Sequence, residues 1–226
     1  MLHKVGLPTF YGQAFLPDVC EIGADMLPYT RRYFEELIRT GHIAAVTPSD
    51  IWYETRKDFG ADQVGTAMPA YKNDGFELLR GHARFEGEIL GGCMDTIFDM
   101  FDGTRYADMP DVIRRYGLFP AAGAWRGKIL LLESSEEKPS PEKYRRALEY
   151  LRDAGVFAAV SGVLVGKPMD DTHHAAYKQA LLDIIPDMEL PIVCNLSVGH
   201  AQPRCILPFG VHATVDADTQ RITFAF

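Results

Sequence analysis

The sequence predicts an α/β protein with a parallel sheet and a terminal β-hairpin. Strand-like and helix-like segments alternate from Gly127 onward, with only short joints between them. Such alternation typically produces a right-handed parallel sheet covered by helices. The last residues, 214–226, are rich in β-branched and aromatic residues around the turn at 216–218, which favours a hairpin.

Each element of this alternating part has its own signal. Residues 128–132, Lys-Ile-Leu-Leu-Leu, form the nearly continuous apolar run of a strand buried on both faces. Ser140 offers a helix N-cap before Pro141, and apolar residues at 3–4 spacing continue that helix to about residue 154. A strand over 158–165, a helix over 172–185 and a strand over 191–198 complete the predicted pattern.

The first half of the chain has weaker patterns. Residues 5–15 predict a short strand with a turn, and residues 28–39 predict a helix that stops at Gly41. Residues 47–75 are polar and aromatic, as in a linker or a long functional loop. Strand-like pieces follow at 76–79 and 83–86, broken by Gly81, Gly87 and the pair Gly91-Gly92, and a helix begins near residues 96–101.

The composition narrows the possible partners and the compartment. The chain has 226 residues, of which 47% are hydrophobic, and a net charge of −8, which disfavours nucleic acid and anionic membranes as partners. Its four cysteines form no CxxC pair, so we expect a reducing compartment, no metal and no cofactor. The chain has no long apolar run and no signal-like start, which makes the cytoplasm the expected location.

Two strand ends carry residue types that act in catalysis. Glu133 directly follows the 128–132 run, and His200 follows the 191–198 strand. Ligands of open parallel sheets bind at the carboxyl ends of the strands, and a histidine beside a carboxylate is the base and orienting group of a nucleophilic hydrolase. The alternative is that both side chains end strands only because loops are hydrated. The pattern leaves both interpretations open.

Four ordered segments resemble the serine LD-carboxypeptidase family, which includes murein tetrapeptide carboxypeptidases and microcin C self-immunity proteins. Residues 199–203 (Gly-His-Ala-Gln-Pro) with 207–210 resemble its histidine motif, and 127–133 resemble its glutamate strand. Residues 86–93 resemble its glycine-rich segment, and 6–12 resemble the strand that ends its N-terminal half. Each match is weak alone, but together they span nearly the whole chain.

This resemblance implies a fold, an activity and site residues. The family uses a triad in the chain order Ser, Glu, His to cleave an amide near a free carboxylate through an acyl-enzyme, and Glu133 and His200 match the last two positions. Its members have two α/β domains and commonly dimerise. We therefore expect a homodimer and a peptide-like small-molecule substrate, either a muropeptide or an aminoacyl-nucleotide analogue. The expected organisation is a remnant of the N-terminal α/β domain (1–45), a loop region (46–75) and the C-terminal α/β domain (76–226).

The resemblance also suggests substrate-binding residues. Residues 49–54 look like the microcin-immunity branch, in which an aromatic side chain stacks on the substrate, and Trp52 is the candidate here. Trp52 is equally explained as a half-buried anchor of its loop. Gly91 and Gly92 either bring the backbone close to a ligand or only permit a tight bend. Cys93 stands where some relatives carry Asn.

The serine of the family lies in a Gly-x-Ser-Asp turn that would precede residues 6–12, so we expect this chain to lack its nucleophile and most of the N-terminal domain. Three interpretations follow. The chain is an enzyme family member without its serine segment, inactive on its own; or a non-enzymatic homologue that binds a peptide or dimerises; or a generic α/β ligand-binding domain.

Overall fold

The computed structural model describes residues 2–23 and 25–226. In this part of the chain the α-helices are α1 (Leu2–Val5), α2 (Pro28–Thr40), α3 (Met94–Asp102), α4 (Met109–Tyr116), α5 (Pro141–Asp153) and α6 (His174–Ile184). The strands are β1 (Thr9–Tyr11), β2 (Ala45–Val46), β3 (Ile51–Tyr53), β4 (Ala70–Lys72), β5 (Glu77–Arg80), β6 (Arg84–Cys93), β7 (Lys128–Glu133), β8 (Gly162–Gly166), β9 (Ile192–Leu196), β10 (Leu207–Phe209), β11 (His212–Asp216) and β12 (Arg221–Ala225).

An eight-stranded mixed sheet forms the centre of the molecule, in the order β2-β12-β11-β6-β7-β8-β9-β5. The strands β6 to β9 are parallel, and α5 and α6 connect β7 to β8 and β8 to β9, which confirms the predicted α/β class and parallel sheet. The terminal hairpin is also confirmed, as β11 and β12. The sheet differs from an all-parallel one because the hairpin and β5 add to it in antiparallel orientation.

Strand β6 contradicts the predicted breaks at Gly87 and at the pair Gly91-Gly92, because it runs unbroken from Arg84 to Cys93. Gly87 and Gly91 lie where β6 approaches β7 and the residue before it closely. A Cβ atom on Gly91 would lie 2.0 Å from the carbonyl oxygen of Leu131, and Gly91 has a φ of +144°. Glycine permits this conformation, so the strand continues where the sequence suggests that it stops.

The core lies on both faces of the sheet, because successive side chains of a strand point to opposite sides. Leu130 and Leu132 pack with α3, α5 and α6 on one face. Ile129 and Leu131 pack with Tyr33 of α2 and with the hairpin on the other face. All four side chains of β7 are fully buried, and each contributes roughly 1.5–3 kcal/mol of transfer free energy. This two-sided burial explains the apolar run that predicted the strand.

Three local features differ from the sequence predictions. Helix α4 was not predicted, and β8 begins only at Gly162 because residues 156–160 form a turn closed by Val156. The segment 46–75 holds the antiparallel pair β3–β4. The division at residues 45 and 75 stays a prediction. The longest helices in the described ranges have 13 residues, and none of them is long and apolar enough to cross a membrane.

Candidate active site

Glu133 is the last residue of β7 and lies at the carboxyl edge of the sheet, only 1% exposed. Both of its carboxylate oxygens are hydrogen-bonded. Tyr11 Oη donates to Oε1 at 2.6 Å, and His200 Nδ1 lies 2.8 Å from Oε2. A buried carboxylate needs such partners because burial without them is costly. The two contacts hold Glu133 in one orientation.

His200 lies in the turn after β9, where Gly199 makes the contact with Glu133 possible. Gly199 has a φ of +86°, and a Cβ atom on it would lie 2.4 Å from Glu133 Oε2. Any other residue at this position would push the carboxylate away. Arg204 donates to the His200 carbonyl oxygen at 2.8 Å and is itself held by Asp18, 2.7 Å from Nη1. The turn is therefore fixed from both sides.

The second ring nitrogen of His200, Nε2, lies 3.0 Å from Glu136 Oε2. Glu136 is largely exposed, whereas Glu133 is buried. The pKa of His200 is raised, first by its hydrogen bond to Glu133 and then by the charges of both carboxylates, against the lowering effect of burial. The imidazole therefore accepts a proton more readily than a free histidine, and the adjacent carboxylates stabilise the imidazolium. This is the electrostatic environment of a general base.

His200 opens into a cleft of about 640 Å³. Apolar side chains line much of it, including Phe10, Leu16 and Phe59, and Tyr11 and Glu136 flank the histidine. A concave apolar cavity with a few convergent polar groups is the usual form of a small-molecule site. The cleft is large enough for such a ligand next to the Glu133–His200 pair.

Trp52 lies away from this cleft. It lines a separate cavity of about 430 Å³, together with Lys167 and Asn195. Its ring stacks on Tyr71 with centroids 4.5 Å apart, and the Lys167 ammonium lies 4.8 Å from the Trp52 ring centroid. The Trp52 ring thus already contacts Tyr71 and Lys167, and its substrate-stacking role stays a prediction.

Gly91 and Gly92 have φ values of +144° and +140°, which glycine adopts more readily than other residues. Gly91 permits the close approach of β6 to Leu131, and a Cβ atom on Gly92 would contact the Tyr11 ring at 3.4 Å. Neither is among the described residues that line the His200 cleft. Their role as substrate-binding residues also stays a prediction.

Sequence reasoning selected Glu133 and His200, which the structure brings into contact, but it assigned no site role to the residues around them. Tyr11, Cys93, Glu136 and Arg204 all lie at or beside the pair. Only Tyr11 and Cys93 fell inside segments quoted for the family resemblance, and a hydrogen bond across 122 residues leaves no local pattern. Among the hydrogen bonds of residues 2–23 and 25–226, none joins a serine hydroxyl to His200.

Comparison with known proteins places the chain in a family. Residues 86–215 match the LD-carboxypeptidase C-terminal domain. The microcin C7 self-immunity protein MccF of Escherichia coli is 24% identical over 225 residues, covering 97% of this chain and 60% of that protein. A crystal structure of an MccF-like protein from Streptococcus pneumoniae in complex with AMP is 56% identical, with a TM-score of 0.97, and covers 100% of this chain and 66% of that one.

A solved structure of MccF in complex with aspartyl sulfamoyl adenosine, at 22% identity, shares the fold with a TM-score of 0.77. The chain spans 59% and 60% of the length of the first curated relatives that it matches. More than half of the chain lies within the matched family domain, and the fold agrees across all of it. The chain therefore belongs to the LD-carboxypeptidase family, and its structural relatives include MccF-like proteins.

Proposed function

We propose that Glu133 and His200 are the orienting carboxylate and the general base of a Ser-His-Glu amide hydrolase of the LD-carboxypeptidase and MccF type. The serine would come from polypeptide outside these 226 residues. The observation that carries this proposal is the 2.8 Å contact between His200 Nδ1 and a carboxylate that is 1% exposed. Family membership and the raised pKa of His200 support it.

In this mechanism Glu133 accepts a hydrogen bond from the Nδ1–H group of His200, which fixes the tautomer and leaves Nε2 as the basic nitrogen. Nε2 takes the proton from the serine hydroxyl as the oxygen attacks the substrate carbonyl. The buried carboxylate stabilises the resulting imidazolium, which then protonates the departing amine. Tyr11 keeps Glu133 from rotating away, because it holds the oxygen that His200 does not contact.

The proposed substrate is a small peptide-like molecule, either a muropeptide or an aminoacyl-nucleotide analogue. The second class is favoured because the 56%-identical MccF-like protein was solved with AMP, and MccF with aspartyl sulfamoyl adenosine. We propose Trp52 as the residue that stacks on a base, which requires Lys167 to move off its ring. Gly91 and Gly92 are proposed as backbone contacts to the substrate.

The test compares the 226-residue chain with a chimera. The chimera joins it to the segment of the Streptococcus pneumoniae relative that lies outside the matched region. Aspartyl sulfamoyl adenosine and an LD-tetrapeptide are each incubated with both proteins, and the products are measured by mass spectrometry. We expect no turnover by the chain alone and turnover of the nucleotide analogue by the chimera. His200→Ala in the chimera should lower kcat by at least about 10³-fold.

Turnover by the chain alone that disappears in His200→Ala would refute the external serine. A chimera that folds but stays inactive would favour a second candidate function, a homologue that binds its ligand without hydrolysing it. The contact of Glu136 with Nε2 at 3.0 Å favours that alternative, because it occupies the nitrogen that a serine must reach. This alternative would be supported if calorimetry shows AMP binding while neither substrate is turned over, both in the wild type and in Glu136→Ala.

We also propose that the chain forms a homodimer and resides in the cytoplasm. Val5, Leu7, Phe15 and Leu16 are 53–70% exposed near the start of the chain, and exposed apolar side chains favour association. Light scattering coupled to size exclusion should give twice the mass of 25.2 kDa. A monomer at all concentrations contradicts the dimer, and fractionation of the source cells tests the compartment.

A further inference from the structure

Three metal-ligating residue types meet at one edge of the sheet. Cys93 ends β6 and Glu133 ends β7, and the two residues are register partners in the parallel pair. His200 reaches the same point from the turn after β9. One ligand atom from each, a thiol sulfur, a carboxylate oxygen and a ring nitrogen, all lie within 4.8 Å of one another.

We propose that Cys93, Glu133 and His200 form a binding site for a thiophilic divalent cation of the zinc class. Sulfur, imidazole nitrogen and carboxylate oxygen are the three donors that zinc takes from proteins, and three protein ligands leave a fourth position open. With bonds of about 2.0–2.3 Å, ligand atoms around tetrahedral zinc lie roughly 3.3–3.6 Å apart. The three donors therefore need to move by only about 1 Å.

The surroundings of the site suit a cation. Glu133 and the nearby Glu136 bring two carboxylates to His200. Two basic side chains of this region are already paired, Lys143 with Asp95 at 2.8 Å and Arg204 with Asp18 at 2.7 Å. Tyr11 donates to Glu133 Oε1 and leaves Oε2 for the metal, which is how an outer hydrogen bond orients a carboxylate ligand.

Coordination would replace the proton that Nδ1 and Oε2 now share. The metal takes the place of that proton between His200 and Glu133, and the Cys93 thiol loses its own proton as the sulfur–metal bond forms. Both protons pass to solvent. No change in oxidation state is involved, so the step needs only the metal ion.

Metal binding and proton transfer are mutually exclusive at His200. If the pair acts as proposed above, a bound cation stops catalysis by holding the imidazole. This consequence rests on the proposed function, whereas the binding site itself does not. Zinc-class metals would then act as inhibitors of the pair.

Cobalt(II) is the probe, because a cobalt–thiolate bond gives a charge-transfer band in the near ultraviolet. We expect the metal-stripped chain to bind one cobalt ion with this band, and zinc, but not magnesium, to displace it. Cys93→Ser should abolish the band. The matched control is Cys20→Ser, since Cys20 is an exposed free cysteine elsewhere in the chain, and it should keep the band.

A second measurement uses only the wild-type chain and so does not depend on a variant folding. Zinc should slow the alkylation of Cys93 by iodoacetamide, followed by peptide mass spectrometry, and should leave Cys20 unaffected. A band that survives Cys93→Ser, or equal alkylation of Cys93 with and without zinc, overturns the site. Neither readout requires hydrolysis, so failure here is distinguishable from an inactive chimera.

Discussion

Replacing Tyr11 by phenylalanine removes one hydroxyl from the buried end of Glu133 and leaves the aromatic ring in place. The ring stacks on Phe209 with centroids 5.3 Å apart and 2° between the planes, and phenylalanine preserves this contact. The variant therefore isolates the 2.6 Å hydrogen bond to Glu133 Oε1. Glu133 is 1% exposed, so water cannot replace the lost donor.

The magnitude follows from the charge and burial of the acceptor. Hydrogen bonds to charged groups contribute about 1.5–3 kcal/mol, and a buried acceptor left without its donor incurs a desolvation penalty of similar size. We expect the free energy of unfolding to fall by about 1.5–3 kcal/mol. For a chain of this length that corresponds to a decrease in Tm of about 3–12 °C.

Urea denaturation followed by far-ultraviolet circular dichroism measures the loss. The matched control is Tyr71→Phe, because Tyr71 Oη also donates to a glutamate, Glu54 at 3.0 Å, but in an exposed position. The control should unfold at the wild-type midpoint, since exposed pairs contribute little. If Tyr11→Phe is as stable as Tyr71→Phe, the hydrogen bond does not hold Glu133 and the positioning argument is wrong.

Three further predictions concern the same region. The pKa of His200 in the folded state lies above its unfolded value of about 6.5, so its ion pair stabilises the fold fully below about pH 6.5 and is lost as pH rises through the folded pKa. The difference in urea midpoint between wild type and His200→Gln should therefore shrink with rising pH. A difference that stays constant contradicts this. Gly199→Ala should lower the free energy of unfolding by clearly more than the control Gly41→Ala. Gly41 has a φ of +74° and nothing within 4 Å of an added Cβ, so its substitution costs only about 1–2 kcal/mol for a left-handed backbone. Equal losses would show that Glu133 tolerates the added methyl. Trp52→Ala should weaken AMP binding by about tenfold if Trp52 stacks on the base, as calorimetry can measure, and unchanged affinity would leave Trp52 as a loop anchor.

The elements that could be predicted from the sequence are those whose patterns have one physical explanation. Strand β7 is apolar on both faces because both faces are covered, and α5 is N-capped by Ser140, whose Oγ accepts from the Lys143 amide at 3.3 Å. Strand β6 could not be predicted correctly, because a glycine that permits close strand contact resembles a glycine that ends a strand. The antiparallel edges depend on which strands meet in space, and periodicity carries no such information.

The residues of the candidate site likewise include some that could be predicted from the sequence and some that could not. Glu133 and His200 follow buried strands, and parallel topology brings such strand ends together, so their proximity could be predicted. Tyr11 and Cys93 could not be assigned, since their contacts join positions far apart in the chain. The expectation of no metal rested on the spacing of cysteines alone. The proposed Cys93–Glu133–His200 site has no short spacing for such a rule to detect.

The site also connects the start of the chain to its end. Tyr11 belongs to β1, which pairs with β10 only a few residues after His200, and Asp18 holds Arg204 in the turn. Residues on both sides of the predicted boundary at residue 45 therefore build one site. Residues 76–226 expressed alone would leave Glu133 Oε1 without its donor and Arg204 without its carboxylate. The Glu133–His200 pair thus takes two of its supporting contacts from residues before 45, although both residues of the pair lie within the matched C-terminal domain.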